Sequence, residues 1–152
     1  MKALLAAAAV AVAMIVGACS STHKNIVIKD DVGGIINQFI KKYVDMRSTG
    51  ERLVIDGVCA SSCTLFLGIL NPERYCATHR ASLGFHSAST PVGDGKWRHA
   101  PEYTELMWSL YPEHVRKQLR LRGWDGGAAN NSHPEMIWIR GHKLSAVIQP
   151  CT

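Results

Sequence analysis

Leu53-Val54-Ile55-Asp56-Gly57-Val58-Cys59-Ala60-Ser61-Ser62 runs from a strand into a helix start. Leu53, Val54, Ile55 and Val58 make a mostly apolar run, as expected where helices cover both faces of a parallel sheet. Ser61 or Ser62 then opens a helix, because a serine oxygen accepts a hydrogen bond from a first-turn amide that has no intrahelical partner. Leu65, Phe66, Ile69 and Leu70 supply the buried stripe of that helix, and Asn71-Pro72 closes it.

The same alternation continues on either side. Upstream, Asn25 to Lys29 is a compact apolar strand through Ile26, Val27 and Ile28, and Asp30-Asp31-Val32-Gly33-Gly34 reads as a tight turn. From Ile35 to Arg47 the residues Ile35, Ile36, Phe39, Ile40, Tyr43 and Val44 recur at three and four, which places them on one helical face until Ser48-Thr49-Gly50 ends it. Downstream, Arg74 to Thr78 reads as a short third strand and Ser82 to His86 as a fourth element. Strand, helix, strand, helix, strand predicts an α/β fold built on a crossover parallel sheet layer.

Ser87 to Gly95 reads as an exposed loop and Glu102 to Leu110 as a helix. Pro112 takes the first turn of another helix reaching about Arg122, with Gly123 ending it. That helix carries a basic stripe of Arg116, Lys117, Arg120 and Arg122, read as a solvated face, with a patch for anionic lipid as the sharper alternative. Trp124 to His133 reads as a loop, and Met136 to Ile139 and Leu144 to Ile148 as apolar pieces that pack back onto the sheet. Trp97, Trp108, Trp124 and Trp138 are available as core residues or as anchors for a partner.

The beginning of the chain is of another kind. Met1-Lys2 precede an apolar run from Ala3 to Ile15, which is shorter than the roughly 20 residues that span a bilayer, so an export leader is expected. Its end, Val16-Gly17-Ala18-Cys19, resembles the lipobox of bacterial lipoproteins. The resemblance implies a signal peptide over 1–18, a lipid anchor (palmitate included) at Cys19, a tether over 19–24 and one domain over 25–152. Ser20 beside the cysteine points to the outer membrane, facing the periplasm. The alternative is an ordinary secretory leader cut after Ala18.

The chain has 152 residues, one domain's worth beyond the leader. Its 17 Lys and Arg against 12 Asp and Glu leave +5, too small and scattered an excess for nucleic-acid binding. Four cysteines remain after Cys19: Cys59, Cys63, Cys76 and Cys151. In an exported domain an even number suggests two disulfides. Cys59 with Cys76, at neighbouring strand ends of the expected fold, is the first pairing to consider, and Cys63 with Cys76 the nearest rival. No cofactor is indicated, and no metal either, because the histidines are scattered without ligand spacing.

Three junctions between strand and helix hold the residue types that acyl chemistry needs. Ser61 stands where a rigid strand meets first-turn amides, His86 ends a strand 25 residues later, and Gly33-Gly34 permits close backbone approach to a bound carbonyl. Together these residues resemble the Clp protease proteolytic subunit, within the larger crotonase-fold group, and in particular its short exported relatives. Gly33-Gly34 is similar to the family's glycine pair. Gly57-Val58-Cys59-Ala60-Ser61 is similar to its serine motif with Cys59 for an alanine, and Leu83-Gly84-Phe85-His86 to its histidine strand end.

The resemblance covers about Ile26 to His86, and only one strand precedes the glycine pair, so the family's N-terminal part is truncated. It implies Ser61 as nucleophile, His86 as general base, and amides at Gly34 and Ser62 as the oxyanion hole. The family's third residue, an aspartate, would fall near Asn130 to Glu135, where this chain offers Asn130, Asn131 and Glu135. Asn131 by position, or Glu135 by charge, would orient His86. The implied function is an ATP-independent serine peptidase or related hydrolase of the envelope, acting on a peptide or protein without an unfoldase. An inert relative that binds a peptide or protein partner is the alternative. The truncated sheet edge and the family's rings imply a homo-oligomer.

Overall fold

A computed structural model describes residues 24–126 and 135–152. Cys19 and the lipobox, the leader, most of the tether, and Asn130 and Asn131 lie outside the described residues.

The described chain forms a mixed α/β fold. Strand β1 (Asn25–Asp31) leads through Val32 to Ile35 into helix α1 (Ile36–Thr49), and strand β2 (Arg52–Ala60) follows. A 3-10 turn (Ser61–Leu65) continues as the short helix α2 (Phe66–Ile69). Next come β3 (Tyr75–Ala77), β4 (Ser82–Phe85), β5 (Ser89–Gly93), β6 (Lys96–His99), α3 (Pro101–Leu110) and α4 (Glu113–Arg120). Strand β7 (Ile137–Arg140) and a 3-10 turn (Gly141–Ala146) complete the order.

In the main sheet β1, β2, β4 and β7 lie side by side, and β3 pairs with β2 ahead of β4. β1, β3 and β4 all run parallel to β2, whereas β7 is antiparallel to β4, so the layer is mixed rather than wholly parallel. β3 and β4 are two pieces of one track along β2, facing Leu53–Ile55 and then Val58–Ala60. Where the track breaks, β2 carries one more residue than β1 between Ile28↔Ile55 and Asp30↔Val58. Gly57 sits in that bulge because a Cβ there would lie 1.9 Å from the Lys29 carbonyl oxygen. Arg80 and Thr78, from the break, both bind the Asp56 carboxylate, whose pKa the Arg80 hydrogen bond lowers.

The core gathers Leu53, Ile55, Leu65, Phe66, Leu83 and Ile139 beneath the helices. Tyr43 of α1, Phe66 of α2 and Tyr75 of β3 meet edge to face, with ring centroids 6.1 and 4.9 Å apart. Trp108 and Trp124 are buried against each other at 5.4 Å, so they are core residues, and Trp97 alone of the four tryptophans is strongly exposed, at 67%. Ile35 and Val44, expected on the buried face of α1, are exposed instead. Arg116 and Arg120 of the basic stripe pair with Glu113 of their own helix.

The hairpin and the disulfides also differ from what the sequence suggests. Ser87 to Gly95 is no loop: β5 and β6 form an antiparallel hairpin, with Asp94 and Gly95 both at positive φ in its turn, the geometry an Asp-Gly pair favours. The disulfides join Cys59 to Cys63 and Cys76 to Cys151, with Cα atoms 5.4 and 4.9 Å apart. Cys76 lies opposite Val54, whereas Cys59 lies five residues further along β2. That offset is roughly 16 Å of extended chain, beyond the reach of about 7 Å between bridged Cα atoms. Cys63 follows Cys59 past the end of the strand and is out of reach for the same reason. The second bridge also fixes the C-terminal segment, which Ala77 holds through backbone bonds to Gln149 and Cys151.

Candidate functional site

Ser61 and His86 line one cavity of about 830 Å³. Ser61, just past the end of β2, and the segment from Val32 to Asn37 form one wall, and the hairpin, through Ser89, Thr90, Pro91 and Trp97, forms the other. Among the described residues no Asp, Glu, Lys or Arg lines it. The space therefore favours uncharged, largely apolar groups.

Ser61 ends the strand by turning. Its φ of 56° puts a non-glycine residue in the left-handed region, a conformation costing roughly 1–2 kcal/mol. Several neighbours hold it there. The Thr64 hydroxyl donates to the Ser61 carbonyl at 2.7 Å, so the buried Tyr111 hydroxyl, 2.7 Å from Thr64, must donate to Thr64 in turn. Tyr43 donates to the Cys63 carbonyl at 2.8 Å. Burial raises the pKa of both tyrosines far above the ordinary phenol range, which keeps them as donors.

The glycine pair packs directly on this turn. At Gly33, with φ of 85°, a Cβ would stand 2.8 Å from the Ala60 oxygen and from the Ser61 Cβ. The Gly33 amide donates to Asp31 Oδ1 at 3.0 Å. The Gly34 amide, assigned from sequence to the oxyanion hole, donates to Ser62 Oγ at 2.8 Å, and that hydroxyl donates back to the Gly34 carbonyl at 3.1 Å. The buried Ser62 thus latches the two junctions together. α1 begins here without a side-chain cap, so its first N–H groups have no intrahelical acceptor where Ile35, Ile36 and Asn37 line the cavity.

His86 follows the last residue of β4 and is partly buried. Desolvation lowers its pKa below the ordinary histidine value, and a hydrogen bond with the Ser87 backbone works weakly against this. A neutral imidazole results near neutral pH, the form that accepts a proton. The segment after it is pinned by Thr104, whose hydroxyl accepts from the Ala88 amide and lies 3.0 Å from His99 Nε2.

The cavity gathers Ser61, His86 and Gly34, while Ser62 underlies it. Among the described residues no hydrogen bond joins Ser61 to His86. Glu135 is exposed and does not line the cavity, and Asn131 lies outside the described residues. Val32, Tyr103 and Met107 line the cavity without a role assigned from sequence, Ile35 lines it although expected on the buried helix face, and Trp97, offered by the sequence as a core residue or a partner anchor, lines it as well. The Asp94-Gly95 turn signal was the one available clue to the hairpin that carries Trp97. Among the described residues no group of three or more His, Cys, Asp or Glu could hold a metal ion, and no helix is long and apolar enough to cross a membrane. Comparison with protein-family models gives no match, and comparison with curated proteins gives none.

Proposed function

We propose that this chain is a serine-type hydrolase acting through Ser61 and His86 on uncharged acyl groups, with peptide bonds or esters as substrates. The observation that carries the reading is a serine held at positive φ at the end of a strand, in a cavity it shares with a histidine kept neutral by burial. Ser61 Oγ attacks the carbonyl as His86 takes its proton, and His86 then protonates the leaving group. The amides of Gly34 and Ser62 receive the oxyanion once the Ser62 hydroxyl gives up the Gly34 amide. Hydrogen bonds between nucleophile and base commonly tighten only when substrate is bound. Asn131 is the proposed orienting residue for the imidazole. The resemblance to the Clp protease proteolytic subunit supports the same roles, and two disulfides support an oxidising compartment, consistent with an anchor at Cys19 and an outer-membrane, periplasm-facing location. Association of copies through the open edge of β1 belongs to the same proposal.

A fluorophosphonate tests it. The purified protein should be labelled at Ser61, with labelling abolished in S61A and reduced by about a thousandfold in H86A. Folded protein that never labels and cleaves neither peptide nor ester would overturn the reading. The occupied Gly34 amide favours a second reading, in which the same apolar cavity binds a peptide or protein partner without chemistry. Binding of an apolar peptide that survives S61A and H86A, with no labelling, is its signature.

A further inference from the structure

We infer that the Cys59–Cys63 disulfide is a positioning device for Ser61, setting the nucleophile's conformation rather than the stability of the domain; this rests on the hydrolase reading above. The bridge spans four positions and has Ser61 at its midpoint. Cys59 is fixed in β2 by its pairing with Asp31 and Leu83, and Cys63 is fixed in the 3-10 turn by the Tyr43 bond to its carbonyl. Both cysteines are wholly buried. Chain that stays extended through Ala60 and must return within bridging distance at Cys63 has to reverse after Ala60, and the reversal falls on Ser61, the residue at positive φ. Gly33, where an added Cβ would stand 2.8 Å from the Ala60 oxygen and the Ser61 Cβ, packs against the same turn.

The second disulfide provides the control. Cys76–Cys151 closes a loop of 75 positions at the far end of the β3 track, and neither cysteine lines the cavity. Loop-closure entropy makes the long bridge the larger contributor to stability and the short one the smaller. Effects on rate and on melting temperature should therefore separate between the two.

The experiment compares fluorophosphonate labelling of wild type, C59A/C63A and C76A/C151A, following both the rate and the final fraction labelled. Freed from the bridge, Ser61 loses a left-handed preference worth roughly a factor of ten in population. C59A/C63A should label about tenfold more slowly but reach the same endpoint, whereas C76A/C151A should melt lower and label at the wild-type rate. C59V/C63A, which refills part of the lost sulfur volume, should behave as C59A/C63A does. An unchanged rate in both short-bridge variants would overturn the inference. So would a lowered endpoint at unchanged rate, the mark of a misfolded fraction. If wild type itself never labels, the hydrolase reading falls, and the Ser61 ¹³Cα and ¹³Cβ shifts decide the bridge independently. Left-handed shifts in wild type that are lost in C59A/C63A support it, and the same shifts in both overturn it.

Discussion

The two walls of the cavity are built on opposite terms. On the wall of Ser61, chain from three elements is locked by a disulfide, by the Ser62 latch on Gly34 and by the hydrogen bonds of Thr64 and Tyr43, nearly all of it buried. On the facing wall the hairpin strands pair only with each other, with His99 reaching Thr104 of α3, and Val92 and Trp97 stand in solvent. Catalytic geometry has to be held within fractions of an ångström, whereas contacts that select a substrate tolerate movement. Under the proposed hydrolase reading, the difference gives chemistry to the locked wall and selection to the exposed one.

Gly33→Ala attacks the rigid wall where it is tightest and should have the largest effect. A methyl group there meets the Ala60 carbonyl and Ser61 within 2.8 Å at a φ of 85°, and something must shift. A loss of about 3 kcal/mol in urea denaturation, from overpacking and left-handed strain together, is expected, with Ser61 labelling lost as well. Wild-type stability and labelling in G33A would show that the wall yields, and the contrast between the walls would disappear.

The titration of His86 comes next in size. Its pKa is depressed in the folded protein, so the neutral base persists to lower pH than an ordinary histidine allows. The labelling rate should stay level on going down from pH 7 and then fall about tenfold per unit below the depressed pKa. The same shift acts on folding. Above the unfolded-state pKa the group contributes its full stability, and this is lost as pH falls toward the folded-state value, because the unfolded chain binds the proton first. An acid limb at or above the ordinary histidine value would place His86 in a more solvated setting than the cavity wall.

Trp97→Ala probes the hairpin and should do least. With 67% of the side chain exposed, the folding free energy should change by no more than about 0.5 kcal/mol. A small fluorophosphonate should label at the wild-type rate, while KM for a substrate with a bulky apolar group should rise about fivefold. A large drop in kcat instead would move Trp97 from selection to the chemistry.

How far the chain discloses itself differs between these walls too. Helix α1 and strand β2 were legible because Ile36 to Tyr43 keep helical spacing and Leu53 to Val58 is a mostly apolar run, and Gly50 ends α1 in the left-handed conformation as its position suggested. Ile35 and Val44 misled, since periodicity records which residues share a helical face but not whether a cavity or solvent meets it. The hairpin was hidden because its strands are short, polar and exposed, with no buried face to impose alternation. The cysteine pairing failed on register. Nothing in the spacing shows that Cys59 lies beside Leu83 while Cys76 lies beside Val54, and only that offset excludes a bridge between them.

The bulge at Gly57 has a mechanical consequence for the opposite end of the strand pair. Because Gly57 receives the Lys29 carbonyl where no side chain would fit, the two strands can mesh at one setting only, like a ratchet tooth in its notch. From Lys29 the count of residues to Gly33 is then fixed, and so is the height at which that glycine arrives beside Ser61. Inserting or deleting a single residue between the notch and the glycine pair would leave the sheet assembled and Gly33 out of alignment with Ser61.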